Sequence, residues 1–488
     1  MEILDLIKKY KYHLFVFVNL LWMWALLSPN IYYFDDNYRA AGGYYNWGGD
    51  FRPFADWLYY FLGLGRRFTD LTPLPQIFSL FFLYFTYYLY IKRFNSGELN
   101  IPTLLVFIPI VWSPFLLSNL YFRYDSIFML LAILLSVVAV FCVDNRKYIR
   151  AIMLVFVTCG LYQPAIVAYV CTALFLVYGI KESENKIDIF KMWFLKSLTY
   201  FFIFLIGVLI YYFTIMKFTT DYNWYSTTHS QMSMYNFFKN IVQVVKDVSV
   251  VFESDTGFLF LFIFFYLLVI NFFYLKKKFS YFSLVVFILI HLGFVVSAAG
   301  VNVLLDVPRF EYRTFIFFGF YISYLLLSFF KIMSVDKYRK YSYAILFFVG
   351  FYFLSIALNV SNAQKYKNKF DDAIIMDIVS VLYENNFSEN QTVVFYGESI
   401  PYTVQQLIYK YPIIGGIATN ASYYTYKIQN YFPYQLKYIK FRLESDKNEY
   451  INYVKKKNDL IVIKDTQFYT IYNSSKDVVI EFKSLESK

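Results

Sequence analysis

Apolar runs of about 20 residues recur along most of this 488-residue chain, and they constrain its fold more than any other feature. A run of that length is what an α-helix needs to cross the hydrocarbon core of a bilayer. The hydrophobic fraction is 59% and the charged fraction 16%, against roughly 45–50% and 25% in soluble domains. The sequence therefore predicts a multi-pass α-helical membrane protein.

The runs predict about eleven transmembrane helices, which we assign to residues 12–31, 73–92, 101–121, 125–143, 150–162, 164–180, 197–216, 257–275, 279–300, 313–332 and 342–360. Residues 151–180 form one apolar run, but Pro164 disfavours helical backbone at Gln163 and divides the run into two short helices. Basic residues are concentrated in alternate loops, such as "KKK" at 276–278, and this set is cytoplasmic by the positive-inside rule. The N-terminus is then cytoplasmic, and the C-terminus lies on the outer side.

The net charge of +11 belongs to this pattern of basic loops. No basic stripe with interleaved aromatics lies outside the spans, so we expect no nucleic-acid partner. After residue 360 the composition becomes polar, and residues 361–488 form a second predicted domain. The stretch "FDDAIIMDIVSVLYENN" predicts an amphipathic helix, whereas "TVVFYG", "DLIVIK", "FYTIYN" and "DVVIEF" predict strands. We predict a small outer α/β domain that supports the membrane domain 1–360 or helps to hold an acceptor.

The cysteines Cys142, Cys159 and Cys171 lie in apolar runs, so neither a disulfide nor a zinc site is predicted. No His/Asp spacing demands a metal, and we expect no metal and no cofactor. A membrane O-acetyltransferase would need a histidine near one membrane face. The three histidines of this chain offer no convincing arrangement for that chemistry.

The unusual polar side chains all fall on the predicted outer side. The first outer loop, residues 32–72, carries the acidic pair Asp35 and Asp36, and the outer loop 217–256 carries a histidine. The candidate site residues are Asp35, Asp36, Arg39, Arg52, Arg123, Asp125, Gln163, His229 and Arg309. A carboxylate base and phosphate-binding arginines suit the transfer of a sugar from a lipid-linked phosphate to an alcohol.

Each of these residues also has an ordinary structural interpretation. Adjacent side chains point in different directions, so one aspartate of the pair could be a base while the other caps a helix that starts near Asn37. Both could also be solvated loop acids, and Arg39 and Arg52 could be headgroup anchors. The stretch "FRPFADWLYYFLGLG" predicts a helix along the membrane surface, with the aromatic residues Trp47, Trp57, Tyr59 and Tyr60 at headgroup depth.

Five stretches of the chain resemble the serotype-converting O-antigen glucosyltransferases of bacteria and their phages, the Gtr type II family. They are "DDNYRAAGGYYNWGGDFRPFADWL" at 35–58, "DLTPLPQ" at 70–76, "SPFLLSNLYFRYDSIFML" at 113–130, "LYQPAI" at 161–166 and "VPRF" at 307–310. The resemblance covers about the first 330 residues. It implies a GT-C fold in the bacterial inner membrane, with the C-terminal domain in the periplasm.

The resemblance also implies a reaction. Glucose would pass from undecaprenyl-phosphate-glucose to a sugar of the lipid-linked O-antigen on the periplasmic face, with inversion of the anomeric linkage. A separate polyprenyl-phosphate glucosyltransferase would make the donor, and a small flippase would deliver it. In this interpretation Asp35 or Asp36 is the base, and Arg39, Arg52, Arg123 and Arg309 bind the donor phosphate. The residues Asp125, Gln163 and His229 shape the site.

Two alternatives stay open. A GT-C transferase for another polyprenyl-phosphate sugar, such as mannose, arabinose or aminoarabinose, would share the same residues. A lipid or polysaccharide flippase would instead place ionisable residues at mid-bilayer, whereas the predicted spans here are nearly free of charge.

Overall fold

The computed structural model describes residues 2–65, 69–94, 100–180, 185–218, 235–308, 310–333, 339–419, 424–432, 436–438, 444–456 and 460–483. The chain divides into two compact units. Unit 1 comprises Met1–Ser28 and Tyr45–Leu358, and unit 2 comprises Pro29–Tyr44 and Asn359–Lys488.

Most of the described chain is helical. In chain order, the helices are α1 (Glu2–Leu27), α2 (Asp35–Gly42), α3 (Pro53–Leu62), α4 (Leu74–Phe94), α5 (Ile101–Phe107), α6 (Pro109–Trp112), α7 (Leu117–Tyr121), α8 (Ser126–Asp144), α9 (Tyr148–Leu161), α10 (Ile166–Leu174), α11 (Leu176–Gly179), α12 (Lys186–Thr214), α13 (Phe237–Ser249), α14 (Asp255–Phe279), α15 (Ser283–Ala299), α16 (Phe317–Met333), α17 (Arg339–Glu384), α18 (Tyr402–Lys410), α19 (Ile413–Ala418), α20 (Tyr424–Gln429) and α21 (Glu444–Lys455).

Long apolar helices give the chain the character of a membrane protein. Within the described ranges, six helical stretches are long and apolar enough to cross a bilayer. A seventh is added if the bent pair Ile101–Trp112 and Pro114–Tyr121 counts as one span. Shorter apolar helices occupy Tyr148–Leu161, Gln163–Gly179 and Phe317–Met333. The membrane character is therefore supported, and the number eleven stays a prediction.

Prolines set the helix ends where the structure departs from the predicted spans. Helix α1 ends at Leu27, before the predicted end at residue 31, because Pro29 disfavours helix in the residue that precedes it. The predicted single span 101–121 is instead bent by 42°, and Pro114 begins the part after the bend. A proline lacks the N–H that would continue a helix.

The predicted break near Gln163 is confirmed. Helix α9 ends at Leu161, and Tyr162 has extended backbone with φ −161° and ψ 100°. A 3-10 turn at Gln163–Ala165 then leads into α10. The proline thus turns one apolar run into two helices with a polar side chain at the corner.

Helix α13 is a feature that the sequence analysis treated as loop. Its side chains Phe238, Val242 and Val245 are exposed, whereas Asn240 and Val244 are buried. The Asn240 side-chain amide donates to the backbone carbonyl oxygens of Val303 and Leu305, at the end of the 3-10 turn that follows α15, at 3.0 and 2.9 Å. The helix is therefore anchored along one face and apolar along the other.

Helix α3 lies where a membrane-surface helix was predicted, but only part of its aromatic set is exposed. Trp57 and Tyr60 are exposed, as expected. Trp47 and Tyr59 are fully buried instead. Their rings lie 5.4 Å apart, and the Trp47 ring also packs edge-on against Phe128 at 4.8 Å. These two rings therefore form part of the packing of unit 1 and do not face outward, and their depth in the bilayer stays a prediction.

Unit 2 contains a five-stranded sheet with the order β2-β1-β5-β4-β3. The strands are β1 (Thr392–Tyr396), β2 (Lys437–Tyr438), β3 (Ile461–Asp465), β4 (Tyr469–Asn473) and β5 (Asp477–Phe482). Strand β1 is parallel to β2 and β5, whereas β4 is antiparallel to β3 and β5. The four predicted strands are present, and only the two-residue β2 was not predicted.

The sheet of unit 2 is covered on both faces. Because side chains alternate along a strand, Val393 packs in a cluster with Ile375 and Ile378 of α17. The next residue, Val394, packs on the other face in a cluster with Val454 of α21. The predicted amphipathic helix at 370–386 is the later part of α17.

The segment Pro29–Tyr44 belongs to the same compact unit as this sheet. Its helix α2 packs against α20, and the rings of Tyr38 and Tyr426 lie 4.6 Å apart. The acidic pair thus sits on a short helix that is packed against residues almost 400 positions later in the chain.

Candidate functional site

The two aspartates of the acidic pair have different environments. Helix α2 begins at Asp35, two residues earlier than expected. Asp36 is fully buried, and its carboxylate accepts a hydrogen bond of 3.0 Å from the backbone N–H of Tyr33. The N–H of Asp36 donates back to the Tyr33 carbonyl, also at 3.0 Å. Asp36 therefore fixes the turn before the helix, whereas Asp35 is only partly buried.

Arg39 lies on the same face of α2 as the acidic pair, because residues three and four apart are neighbours on a helix. Its side chain is buried, with the guanidinium 5.4 Å from the centre of the Tyr44 ring. Gly43 caps the C-terminal end of the helix: its φ of 59° is left-handed, and its N–H donates to the Arg39 carbonyl at 2.8 Å. A residue with a Cβ adopts that conformation at a cost.

In unit 1, Asp56 organises the loop that follows residue 44. One carboxylate oxygen accepts from the backbone N–H groups of Asn46 and Trp47, at 3.1 and 3.0 Å. The other accepts from the N–H of Gly48 at 2.5 Å. Three bonds to one carboxylate fold the loop into a tight turn, so this acid has a structural function that the sequence analysis did not assign.

The indole of Trp47 connects that loop to helix α8. Its N–H donates to the carboxylate of Asp125 at 2.9 Å, and both side chains are buried. Asp125 immediately precedes α8. The predicted site-shaping residue Asp125 therefore holds the first loop of unit 1 against the helix bundle.

Arg52 and Gln163 are brought together by the same loop and by the break before α10. The Arg52 Nε donates to the Gln163 side-chain oxygen at 3.3 Å, and its guanidinium lies 5.1 Å from the centre of the Tyr162 ring. The Gln163 amide in turn donates to the carbonyl oxygen of Phe51 at 2.9 Å. Both of these Arg52 partners are neutral, so neither compensates its positive charge.

Arg123 has an acidic partner. Its guanidinium donates to the carboxylate of Asp70 at 3.1 Å. Partial burial raises the pKa of Asp70, but hydrogen bonds from Thr72 and Arg123 outweigh that effect and leave the pKa below its ordinary value of 3.8. An incoming phosphate would have to compete with this carboxylate for Arg123.

The remaining predicted residues, His229 and Arg309, lie outside the described residues. Four residues after Arg309 in the sequence, Arg313 pairs with Glu311 and lies 5.1 Å from the centre of the Phe122 ring. In the part of the chain that the structure describes, no group of three or more His, Cys, Asp or Glu side chains could hold a metal ion.

Unit 2 contains a buried ionic cluster that the sequence analysis missed. The ammonium of Lys367 on α17 lies 2.7 Å from the Asp371 carboxylate and 3.2 Å from that of Glu398. The Tyr424 hydroxyl donates to Asp371 at 2.8 Å. The spacing of Lys367 and Asp371 along one helix face was a signal in the sequence, but Glu398 and Tyr424 come from distant segments.

Comparison with known proteins gives one family match. A family model described as "Glucosyl transferase GtrII" matches residues 24–324, which is more than half of the chain. An uncharacterized 55.3 kDa protein in the gtrB 5′ region of Salmonella phage P22 is 26% identical over 178 residues. That alignment covers 36% of each chain, so this chain spans about a third of the length of that relative. No solved structure matches the chain at a significant level.

Proposed function

Since the chain belongs to the glucosyl transferase GtrII family, we propose that it transfers glucose from undecaprenyl-phosphate-glucose to a sugar of lipid-linked O-antigen. The family match carries this proposal, because it includes every candidate site residue from Asp35 to Arg309. The membership itself agrees with the resemblance identified from the sequence. The reaction takes place on the periplasmic face and modifies the O-antigen serotype.

The reaction is a single displacement at the anomeric carbon. Asp35 removes the proton from an acceptor hydroxyl as the oxygen bonds to that carbon. The bond from the same carbon to the phosphate oxygen breaks, and its electron pair leaves with undecaprenyl phosphate. Attack opposite the leaving group inverts the β-linked donor to an α-glucoside. No cofactor is needed, since phosphate is itself a good leaving group.

The contacts of the two aspartates support Asp35 as the base. The Asp36 carboxylate is already occupied by the Tyr33 N–H in the turn before α2, which is a structural contact. Asp35 is the less buried of the two, and proton transfer requires contact with the acceptor hydroxyl. Asp36 and the buried Arg39 then hold helix α2 in place.

The charges around the arginines support Arg52 as the main donor-phosphate ligand. Its two described contacts, with Gln163 and the Tyr162 ring, are neutral, and a guanidinium binds phosphate in a bidentate manner. Arg123 contributes more weakly because Asp70 competes for it. Arg309 completes the proposed phosphate site, as predicted from the sequence.

The proposed setting is a GT-C fold with about eleven spans in the bacterial inner membrane. The long apolar helices support a membrane location, and the distribution of basic loops supports a cytoplasmic N-terminus. Residues 1–360 form the membrane domain and residues 361–488 the periplasmic domain. A separate glucosyltransferase and a small flippase supply the donor.

The test uses membranes that contain the unaltered protein, Asp35→Asn, Asp36→Asn or the control Asp188→Asn, whose exposed acid lies at the start of α12. Each sample receives polyprenyl-phosphate glucose and a lipid-linked O-antigen acceptor, and mass spectrometry follows glucose transfer. We expect Asp35→Asn to abolish transfer at unchanged protein level and the control to transfer normally. Transfer by Asp35→Asn at the normal rate would exclude Asp35 as the base.

The same assay tests the donor. Polyprenyl-phosphate mannose replaces the glucose donor in a parallel sample. Transfer of mannose but not glucose by the unaltered protein would refute glucose as the donor sugar. It would favour the alternative of a GT-C transferase for another polyprenyl-phosphate sugar. Transfer of neither sugar would refute the proposed reaction.

A further inference from the structure

A cleft lies within unit 2, next to the acidic pair. One wall is formed by residues 31–34 and Asn37, which lead into and begin helix α2. Another wall comes from α17, through Lys367 and Asn368, and from Lys427 of α20.

The walls combine aromatic surface with polar groups. Tyr32, Tyr33 and Phe34 follow one another along the first wall, and the rings of Tyr33 and Phe34 stack at 4.1 Å. The second wall presents amide and ammonium groups of Asn368 and Lys427, which lie 2.8 Å apart. Sugar rings carry both apolar C–H faces and hydroxyls that donate and accept hydrogen bonds, so such a pair of walls matches a sugar.

The charges of the cleft favour a neutral ligand over a phosphate. Lys367 is paired with Asp371 and Glu398, and Lys427 is paired with Asp372 at 3.0 Å. Two ammonium groups thus face three carboxylates, which leaves this cluster with a net negative charge. A donor phosphate would be repelled there, whereas an uncharged polyol would find both donors and acceptors already oriented.

The cleft is also adjacent in the chain to the proposed base. Phe34 and Asn37 line it, and Asp35 lies between them at the start of α2. A sugar held in the cleft would place a neighbouring sugar of the same glycan close to that helix end. A cleft with a purely structural role would not need to lie beside the proposed base.

We propose that this cleft is an acceptor subsite, which binds an uncharged sugar of the O-antigen glycan next to the residue that receives glucose. The inference rests on the proposed function and adds the position and chemistry of acceptor recognition. It assigns the C-terminal part of the chain to acceptor binding rather than to donor binding.

The experiment uses full-length protein in lipid nanodiscs and the pair of variants Tyr32→Leu and Tyr32→Phe. Leucine keeps apolar volume but removes the ring, whereas phenylalanine keeps the ring. Tyr409→Ala is the matched control, since Tyr409 is a highly exposed tyrosine of the same unit, on α18. The binding probe is oligosaccharide released from unmodified O-antigen lipopolysaccharide, measured by calorimetry, with inorganic phosphate as the competing probe. Transfer assays give KM separately for acceptor and donor.

We expect Tyr32→Leu to weaken oligosaccharide binding and to raise the acceptor KM by about tenfold, a change equivalent to about 1.4 kcal/mol. Donor KM should stay unchanged, and Tyr32→Phe and Tyr409→Ala should behave like the unaltered protein. An unchanged acceptor KM in Tyr32→Leu, a rise in donor KM, or displacement of the oligosaccharide by phosphate would each overturn the inference. If Tyr32→Leu does not fold, Ala418→Leu, which narrows the same cleft, is measured against the same criteria.

Failure of the proposed function gives a different result. Oligosaccharide binding requires no donor, so binding that depends on Tyr32 without any glucose transfer would refute the reaction and keep the subsite. Glucose transfer with an acceptor KM that is the same in Tyr32→Leu and in the unaltered protein would support the reaction and refute the subsite.

Discussion

Replacing Asp56 by asparagine should destabilise unit 1 although the two side chains have the same shape. The carboxylate accepts three backbone N–H groups, from Asn46, Trp47 and Gly48. The asparagine oxygen can keep the first two as neutral bonds, but its amide nitrogen then faces the Gly48 N–H, donor against donor. A lost charge-assisted bond costs ~1.5–3 kcal/mol, and the two weakened bonds bring the total to roughly 2–4 kcal/mol.

The measurement is the apparent melting temperature of purified protein together with glucose transfer. A loss of that size lowers the midpoint by about 2–5 °C in a unit this large. Transfer should fall as well, because the loop also carries Trp47 and Arg52. Gly48→Ala tests the contact from the other side, since its Cβ would lie 2.9 Å from the Asp56 carboxylate. An unchanged midpoint with abolished transfer would show that Asp56 acts on the substrate and not on the loop.

Other variants test the remaining contacts. Arg52→Gln removes the charge that we assign to the donor phosphate, so the donor KM should rise at least about tenfold at constant acceptor KM. Trp47→Phe leaves the buried Asp125 carboxylate without its indole donor and should cost ~2 kcal/mol in unfolding free energy, measured as a lower melting temperature. Asp70→Asn removes an ion pair with Arg123 and should lower the melting temperature. The lowered pKa of Asp70 determines how this loss of stability depends on pH. The stabilisation from the Asp70 carboxylate is fully present above pH 3.8 and is lost as the pH falls through the lower pKa of the folded state. The melting temperatures of Asp70→Asn and the unaltered protein should therefore differ near pH 7 and converge below pH 3.8.

Local rules predicted the features that depend on a few neighbouring residues. The helix break at Gln163 followed from one proline, and the four longer strands of unit 2 followed from short β-branched and aromatic runs. The end of α1 was missed because the apolar run continues past Pro29, although that proline disfavours helix before it. The predicted span was too long because it followed hydrophobicity alone, whereas the backbone restriction imposed by Pro29 ends the helix.

Long-range packing decided what the sequence could not indicate. The indole of Trp47 was expected at the membrane surface, but it is buried and donates a hydrogen bond to Asp125. That partner lies 78 residues later in the chain. The segment Pro29–Tyr44 was predicted to belong to the first outer loop, and no local pattern indicated that it packs in one compact unit with the C-terminal sheet. Neither contact can be recognised from a periodic pattern in the sequence, because both join segments that are distant along the chain.

The packing of α2 against α20 has a consequence for synthesis in the cell. Asp35 leaves the ribosome early, but Tyr426, which stacks beside Tyr38 of the same helix, is made much later. At about 5–20 residues per second, the delay is roughly 20–80 s. A nascent chain therefore waits until translation is nearly finished before this helix gains its packing surface. A chain that stops short of α20 carries the acidic pair without the contacts that hold it, so premature termination yields a membrane protein with an unassembled helix.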